Sequence, residues 1–256
     1  MSPRPKQDPE ARPTTVAERR FAEQAAVLSG LSLEERFARI YQTNLWSDAE
    51  SRSGAGSSLD ATASLRVALP PLLRSVNARC LLDVPCGDFN WMSQVDLSAI
   101  DYIGGDIVES IIEANRQRYE SPGRVFMRVD LTSGPLPDAD VILCRDCLVH
   151  FSFDNIIAAF RTIKASGAQY LLTTTFLDRQ VNKDIVDGDW RPLNLVQPPF
   201  LLPPPHNVIL EDCMEEGGAY ADKALAVWRV SDLPTQLAGQ HARTTRSEPT
   251  PNSGPR

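Results

Sequence analysis

The sequence predicts an α/β fold built on a mostly parallel sheet, and three observations carry that expectation. Short apolar runs recur, each closing on an acid: Leu81-Leu82-Asp83, Tyr102-Ile103-Gly104-Gly105-Asp106, Val125-Phe126-Met127-Arg128-Val129-Asp130 and Val141-Ile142-Leu143-Cys144-Arg145-Asp146. Helical segments separate several of the runs, and such alternation implies parallel pairing with right-handed crossovers. After the first run the chain breaks into Pro85-Cys86-Gly87-Asp88-Phe89-Asn90-Trp91. A nucleotide-binding sheet makes such a tight turn where its first strand reaches the ligand.

The elements follow in order. Residues 1–15 are polar and Pro-rich without periodicity, and a disordered tail is expected. A helix is expected over 16–28. Ser32-Leu33-Glu34-Glu35 is a capping box, opening a helix with Phe37, Ile40 and Tyr41 on one face. Residues 44–58 are a Ser/Gly loop, and 16–58 together read as a helical appendage with a lid. Residues 59–76 are helical, with an interruption expected at Pro70-Pro71. Strands are expected at 80–84, 101–105, 125–129, 140–144 and 169–175, and helices at 108–119 and 153–166, the latter capped by Ser152 or Asp154. Two late strands, 207–211 and 224–230, have no clear helix between them. Before them runs a Pro-rich stretch, 187–205, and a loop of that length is uncommon unless functional. The main domain is expected to span 59–236, with a second disordered tail over 237–256.

A chain of 256 residues, 42% of them hydrophobic, suits one domain with a sizeable core plus appendages. Its net charge of −7 argues against a nucleic-acid surface. No stretch approaches the roughly 20 apolar residues of a membrane span, and no secretory signal is visible behind Met1. Cys80, Cys86, Cys144, Cys147 and Cys213 lie mostly on or beside expected strands, which suggests buried thiols in a reducing, cytoplasmic compartment. Cys144-Arg145-Asp146-Cys147 has redox spacing, but its first cysteine ends a strand, and no second pair completes a zinc site. Asp184, Asp187 and Asp189 are loop acids at mixed spacing, read as solvated rather than as metal ligands.

Dinucleotide enzymes need G-x-G-x-x-G so that a helix N-terminus reaches a pyrophosphate. Here Gly87 stands alone, with Pro85 and Phe89 at the flanking positions, so a cofactor without phosphates fits better. The pattern Asp83-Val84-Pro85-Cys86-Gly87-Asp88, with acids ending the next two strands, resembles the class I S-adenosylmethionine-dependent methyltransferases over about residues 59–230. The resemblance implies a Rossmann-like three-layer sandwich, with a mostly parallel seven-stranded sheet and a C-terminal antiparallel hairpin. It also implies S-adenosyl-L-methionine as cofactor.

On that resemblance, Asp106 accepts both ribose hydroxyls, since a carboxylate has acceptor sites for two donors. Asp130 with Leu131 occupies the adenine-reading position. Asp83 organises the turn through backbone N–H groups and reaches the methionine ammonium. Gly87 lets the backbone pass close to the cofactor. Trp46 and Arg52 sit on the lid, with Arg52 expected to meet the methionine carboxylate and Trp46 equally readable as a core anchor. Asp88, Ile107 and Arg145 complete the expected cofactor set. Past the fourth strand, His150 or Asp146 is the candidate base for a hydroxyl acceptor; a lone histidine among apolar residues also reads as structural. The expected reaction is O-methylation of a small molecule or sugar, with no nucleic acid, membrane or metal involved. Two alternatives stand beside it: a non-catalytic binding module, and another Rossmann-like transferase using an adenosyl ligand.

Overall fold

The computed structural model describes residue 8 and residues 10–238. Its frame is a seven-stranded sheet: β1 (Cys80–Asp83), β2 (Asp101–Asp106), β3 (Arg124–Arg128), β4 (Val141–Cys144), β5 (Tyr170–Phe176), β6 (Asn207–Leu210) and β7 (Lys223–Arg229). The order is β3-β2-β1-β4-β5-β7-β6. β1 to β5 are parallel, while β7 runs antiparallel to both β5 and β6. The order reverses at β1 and β4, so the chain leaves a crevice at their carboxyl ends, where open α/β sheets bind ligands.

Helices α1 (Val16–Leu28) and α2 (Leu33–Gln42) precede the sheet. Each starts on a capping box, Thr15 with Glu18 and Ser32 with Glu35, so orphan N–H groups at both N-termini are satisfied. α3 (Ala63–Ser75), α4 (Glu109–Tyr119) and α5 (Phe153–Ala165) follow along the chain. Ser152 caps α5 through the Asn155 N–H. Alternate residues of β1 feed opposite faces of the sheet: Leu81 joins the α3 residues Leu65, Leu69 and Leu73, whereas Leu82 joins the α5 residues Ile156, Phe160 and Ile163.

Three expectations change. α3 runs through Pro70 and Pro71 without a break. The two missing N–H donors cost the helix, but Leu65, Leu69, Leu72 and Leu73 are buried on one side and hold it against the sheet. The first tail is not free over its whole length. Arg12 donates to both Asp222 oxygens at 2.7 and 2.9 Å, Tyr220 Oη donates to the Pro13 carbonyl at 2.6 Å, and Glu10 accepts from the Gln180 and Val181 N–H groups. Composition marks such a segment as polar but does not reveal that its polar groups have specific partners. Residues 1–7 and 9 of that tail, and 239–256 of the other, lie outside the described residues; Ala238 still donates to the Pro199 carbonyl.

The third change is the Pro-rich stretch. Leu193, Leu195, Phe200 and Leu202 are buried in the same cluster as α5. Arg191 is buried too, and its guanidinium donates to the carbonyls of Leu148 and Phe151 at 2.8 and 2.7 Å. The stretch therefore does the work of a covering element on that face. Asp184 accepts from Phe153 N–H, Asp187 from Ser152 N–H and Asp189 from Trp190 N–H, so these acids fix loop backbone. All five cysteines are free thiols. Among the described residues no helix is long and apolar enough to cross a membrane.

Candidate active site

The turn after β1 is built by hydrogen bonds to its neighbours. Val84 N–H donates to Leu143 O, Cys86 N–H to Gly105 O and Gly87 N–H to Asp106 Oδ2, the last at 3.2 Å. Gly87 has φ +54°, and a Cβ there would collide with Ser53 Oγ. Glycine is required both for the backbone conformation and for the close passage of residues 44–58. Phe89 also has positive φ and turns inward, stacking among Tyr102, Tyr119 and Phe126. The ring that stands where a glycine was expected belongs to the core and does not reach the cavity.

The acids divide by partner. Asp83 is buried and accepts from Tyr102 Oη at 2.7 Å. The turn's own N–H groups go elsewhere, so the expectation that Asp83 organises the turn is corrected; Asp106 holds it instead. Asp106 accepts from Gly87 and Val108 N–H groups. Burial pushes the Asp83 carboxyl up to about 7 and the Asp106 carboxyl up to about 6. Asp130 is different: although burial raises it, donors from Thr132 and Ser133 hold it below its ordinary value.

Residues 44–58 close over this edge. Asp88 is their latch, accepting from the hydroxyls of Ser51 and Ser53 and from Arg52 N–H at 2.9 Å. The Arg52 guanidinium is exposed and lies over the Tyr41 ring, 5.7 Å from its centroid. Trp46 stacks on His150, with centroids 4.7 Å apart. Its indole Nε1 is shielded from water and has no acceptor among the described residues.

Beyond β4 the charges are paired. Arg145 reaches Glu211 at 2.6 Å, Asp146 at 3.2 Å and the Gly56 carbonyl at 2.8 Å. Lys223 reaches Asp146 at 2.7 Å and Glu211 at 3.5 Å. Burial would raise the Asp146 carboxyl, but Arg145 and Lys223 together hold it well below the carboxylate range. Asp146 is thereby corrected from a candidate base to a fixed anion. His150 donates from Nδ1 to the Asp189 carbonyl at 2.7 Å, which leaves Nε2 as the acceptor nitrogen of the neutral ring. Burial lowers its pKa to about 4.

All the residues expected at the site line one cavity at the carboxyl edge: Trp46, Arg52, Asp83, Gly87, Asp88, Asp106, Ile107, Asp130, Leu131, Arg145, Asp146 and His150. The sequence reading missed Phe37, Tyr41 and Trp91, which share the lining. It also missed Lys223 and Glu211, which hold Arg145 and Asp146. Their signals were a lysine opening an apolar run and an acid closing Val208-Ile209-Leu210.

The lining suits an adenosyl amino acid. Two buried carboxylates, Asp83 and Asp106, have no cation bonded to them among the described residues, and each keeps acceptor sites for hydroxyl or ammonium donors. Ile107, Val108, Ile111, Val129 and Leu131 supply an apolar strip for a base.

Residues 82–168 match the family model described as a methyltransferase domain. No curated protein matches the chain. Solved structures similar to it include human N-acetylserotonin methyltransferase in complex with S-adenosylmethionine (13% identity, 82% of this chain and 66% of that one, TM-score 0.49). Magnesium protoporphyrin IX methyltransferase from Synechocystis PCC 6803, also with bound S-adenosylmethionine, gives 12% identity, 62% and 81% coverage, and TM-score 0.43. The methyltransferase domain of a bacterial Hen1 gives 16%, 45% and 66%, and 0.40. The chain spans about half to two thirds of the length of several such structures, 66%, 51% and 50% of three of them. The domain match falls on the strand-end acids and turn described above, within a parallel sheet closed by an antiparallel pair, so this stretch of the chain is similar to a methyltransferase domain.

Proposed function

We propose that this enzyme methylates a hydroxyl oxygen of a small molecule or sugar, with His150 as the base. The cofactor, when bound, supplies a methyl group made electrophilic by its sulfonium. The observation that carries the reading is the His150 tautomer: Nδ1 is committed to the Asp189 carbonyl, which leaves the ring's lone pair on Nε2 in a residue that lines the cavity. His150 Nε2 would take the hydroxyl proton as that oxygen accepts the methyl group the cofactor would supply. A ring titrating at about 4 is a weak base, but it is neutral throughout the physiological range. A hydroxyl becomes strongly acidic as its oxygen bonds to carbon, so a weak base in position is sufficient.

Asp83 and Asp106 support the methionine ammonium and the ribose, Asp130 and Leu131 the adenine, and Asp88 keeps the lid shut over them. Arg52, exposed over the Tyr41 ring with both residues on the cavity lining, supports the methionine carboxylate, since Arg145 is already paired with Glu211 and Asp146. Free thiols support a reducing, cytoplasmic setting.

The test is His150→Ala, assayed with labelled methyl donor on acceptors found by screening phenols, catechols and sugars. Turnover is expected to fall about 10²–10⁴-fold while cofactor affinity by calorimetry is unchanged. With cofactor saturating, wild-type turnover holds down to about pH 5 and falls as pH drops through about 4. A variant with normal turnover removes the base role, and a joint loss of affinity and thermal stability returns His150 to packing.

A further inference from the structure

A second cavity, of about 180 Å³, adjoins the first and shares Trp46, Ser53, Asp146 and His150 with it. The start of α1 and Trp190 form its far wall. Four groups on it carry charge: Asp146, Glu215, Glu216 and Lys223. Asp146 and Lys223 neutralise each other at 2.7 Å. Glu216 pairs with Arg19 at 3.3 Å, with both side chains partly in water. Glu215 is the remainder. Its carboxylate has no hydrogen bond or ion pair among the described residues, and burial pushes its pKa up. The nearest cation, Lys223, is bonded to Asp146 and Glu211. The cavity thus carries a surplus negative charge, set among the rings of Trp46, Trp190 and His150. Carboxylate and indole faces both attract a cation, and the attraction grows as water is excluded. Trp46, which lines both cavities, adds a shielded Nε1 donor that has no partner among the described residues.

We propose that this second cavity is the acceptor site, and that it selects a small acceptor carrying a protonated amino group, seated against Glu215, with its hydroxyl toward His150. The inference rests on the methyl-transfer reading and adds the charge of the substrate to it. An amino group completes Glu215 as Arg145 and Lys223 complete Asp146. A carboxylate-bearing acceptor meets three acids and one committed ammonium. The preference therefore runs from cationic through neutral to anionic compounds.

Three phenols of one size test this on the full chain with cofactor present: tyramine, 4-ethylphenol and 4-hydroxyphenylacetate, followed by quenching of tryptophan fluorescence. Tyramine is expected to bind about tenfold or more tighter than 4-ethylphenol, the range for a hydrogen bond to a charged group. 4-Hydroxyphenylacetate binds weakest. Glu215→Gln removes the tyramine preference, leaves 4-ethylphenol unchanged and leaves S-adenosylmethionine affinity unchanged, since Glu215 lies off the cofactor cavity. The wild-type series decides the matter even where the variant folds poorly. Equal binding of the three phenols, no binding of any, or a preference for the anion overturns the proposal. So does a tyramine preference that survives in Glu215→Gln, or a fall in cofactor affinity there, which would assign the carboxylate to the cofactor. Failure of the wild type to bind S-adenosylmethionine is a separate result and strikes the methyl-transfer reading itself.

Discussion

Asp106 and Asp146 stand at the same edge of the same sheet, and both are largely withdrawn from water. Asp106 is met by backbone N–H groups alone, and burial raises its pKa to about 6. Asp146 lies between Arg145 and Lys223, and its pKa is driven down. Dipoles leave a buried carboxylate short of stabilisation, whereas two cations satisfy it. One half of the cavity has unmet demand that a ligand can supply. The other half is complete without one and serves as a rigid wall. The first sort of acid is open to a ligand; the second positions its surroundings.

The largest expected effect comes from breaking the complete half. Lys223→Met leaves Asp146 and Glu211 to share Arg145. Loss of one partner from a buried ion network costs about 3–5 kcal/mol, which lowers the melting temperature by about 2–4 °C for each kcal/mol in a chain of this size. Calorimetric melting without cofactor measures it. A shift below about 2 °C would mean that water already stabilises the two acids, and the contrast with Asp106 would lapse.

Asp106→Asn is expected to do less to the fold and more to the ligand. The amide oxygen can still accept one of the two N–H bonds, and no buried charge is stranded. Cofactor affinity should drop by about 1–3 kcal/mol, the range for a hydrogen bond to a charged group. Calorimetric titration checks this beside a melt. Normal affinity with a lowered melting temperature would make Asp106 a fixer of the Gly87 turn and nothing more.

The contrast explains what the sequence could show. Strand-end acids are legible because a period of apolar residues ending in Asp marks both the strand and its open edge. Asp83, Asp106, Asp130 and Asp146 were all placed at one cavity that way. Which of them is paired depends on Lys223, on β7, and Glu211, just past the end of β6, far along the chain, and no local spacing encodes that contact. The fate of Asp83 turns on Tyr102, whose hydroxyl reaches it across the sheet. The core role of the Pro-rich stretch stayed hidden because prolines mask the period of Leu193, Leu195 and Leu202, although the same stretch also brings Asp189 to His150. The first tail misled for the opposite reason: Glu10 and Arg12 look like solvated charges until Arg179 and Asp222 come into range.

The smallest effect is a proton count, and it bears directly on the incomplete half. In the free enzyme Asp83 titrates at about 7 and Asp106 at about 6, in both cases because burial penalises the charged form. Both lie above the unfolded value of about 3.9. Between those values the native state binds protons that the unfolded chain has released, so their contribution to stability is present at low pH and is lost as pH rises through about 6–7. Ligand binding reverses the sign. Ammonium and hydroxyl donors favour the ionised carboxylates, so the complex holds fewer protons than the free enzyme, and affinity rises with pH through the same window. Titration of S-adenosylmethionine in buffers of different ionisation enthalpy should show release of up to about one proton at pH 6.5 and little at pH 8. The corresponding gain in affinity is at most about tenfold per pH unit for each proton released. Lys223→Met should leave this release in place, because Asp146 is already ionised and lies in the other half. Absence of release at pH 6.5 would mean that Asp83 and Asp106 are charged before the ligand arrives, and the two halves of the cavity would then differ in geometry alone.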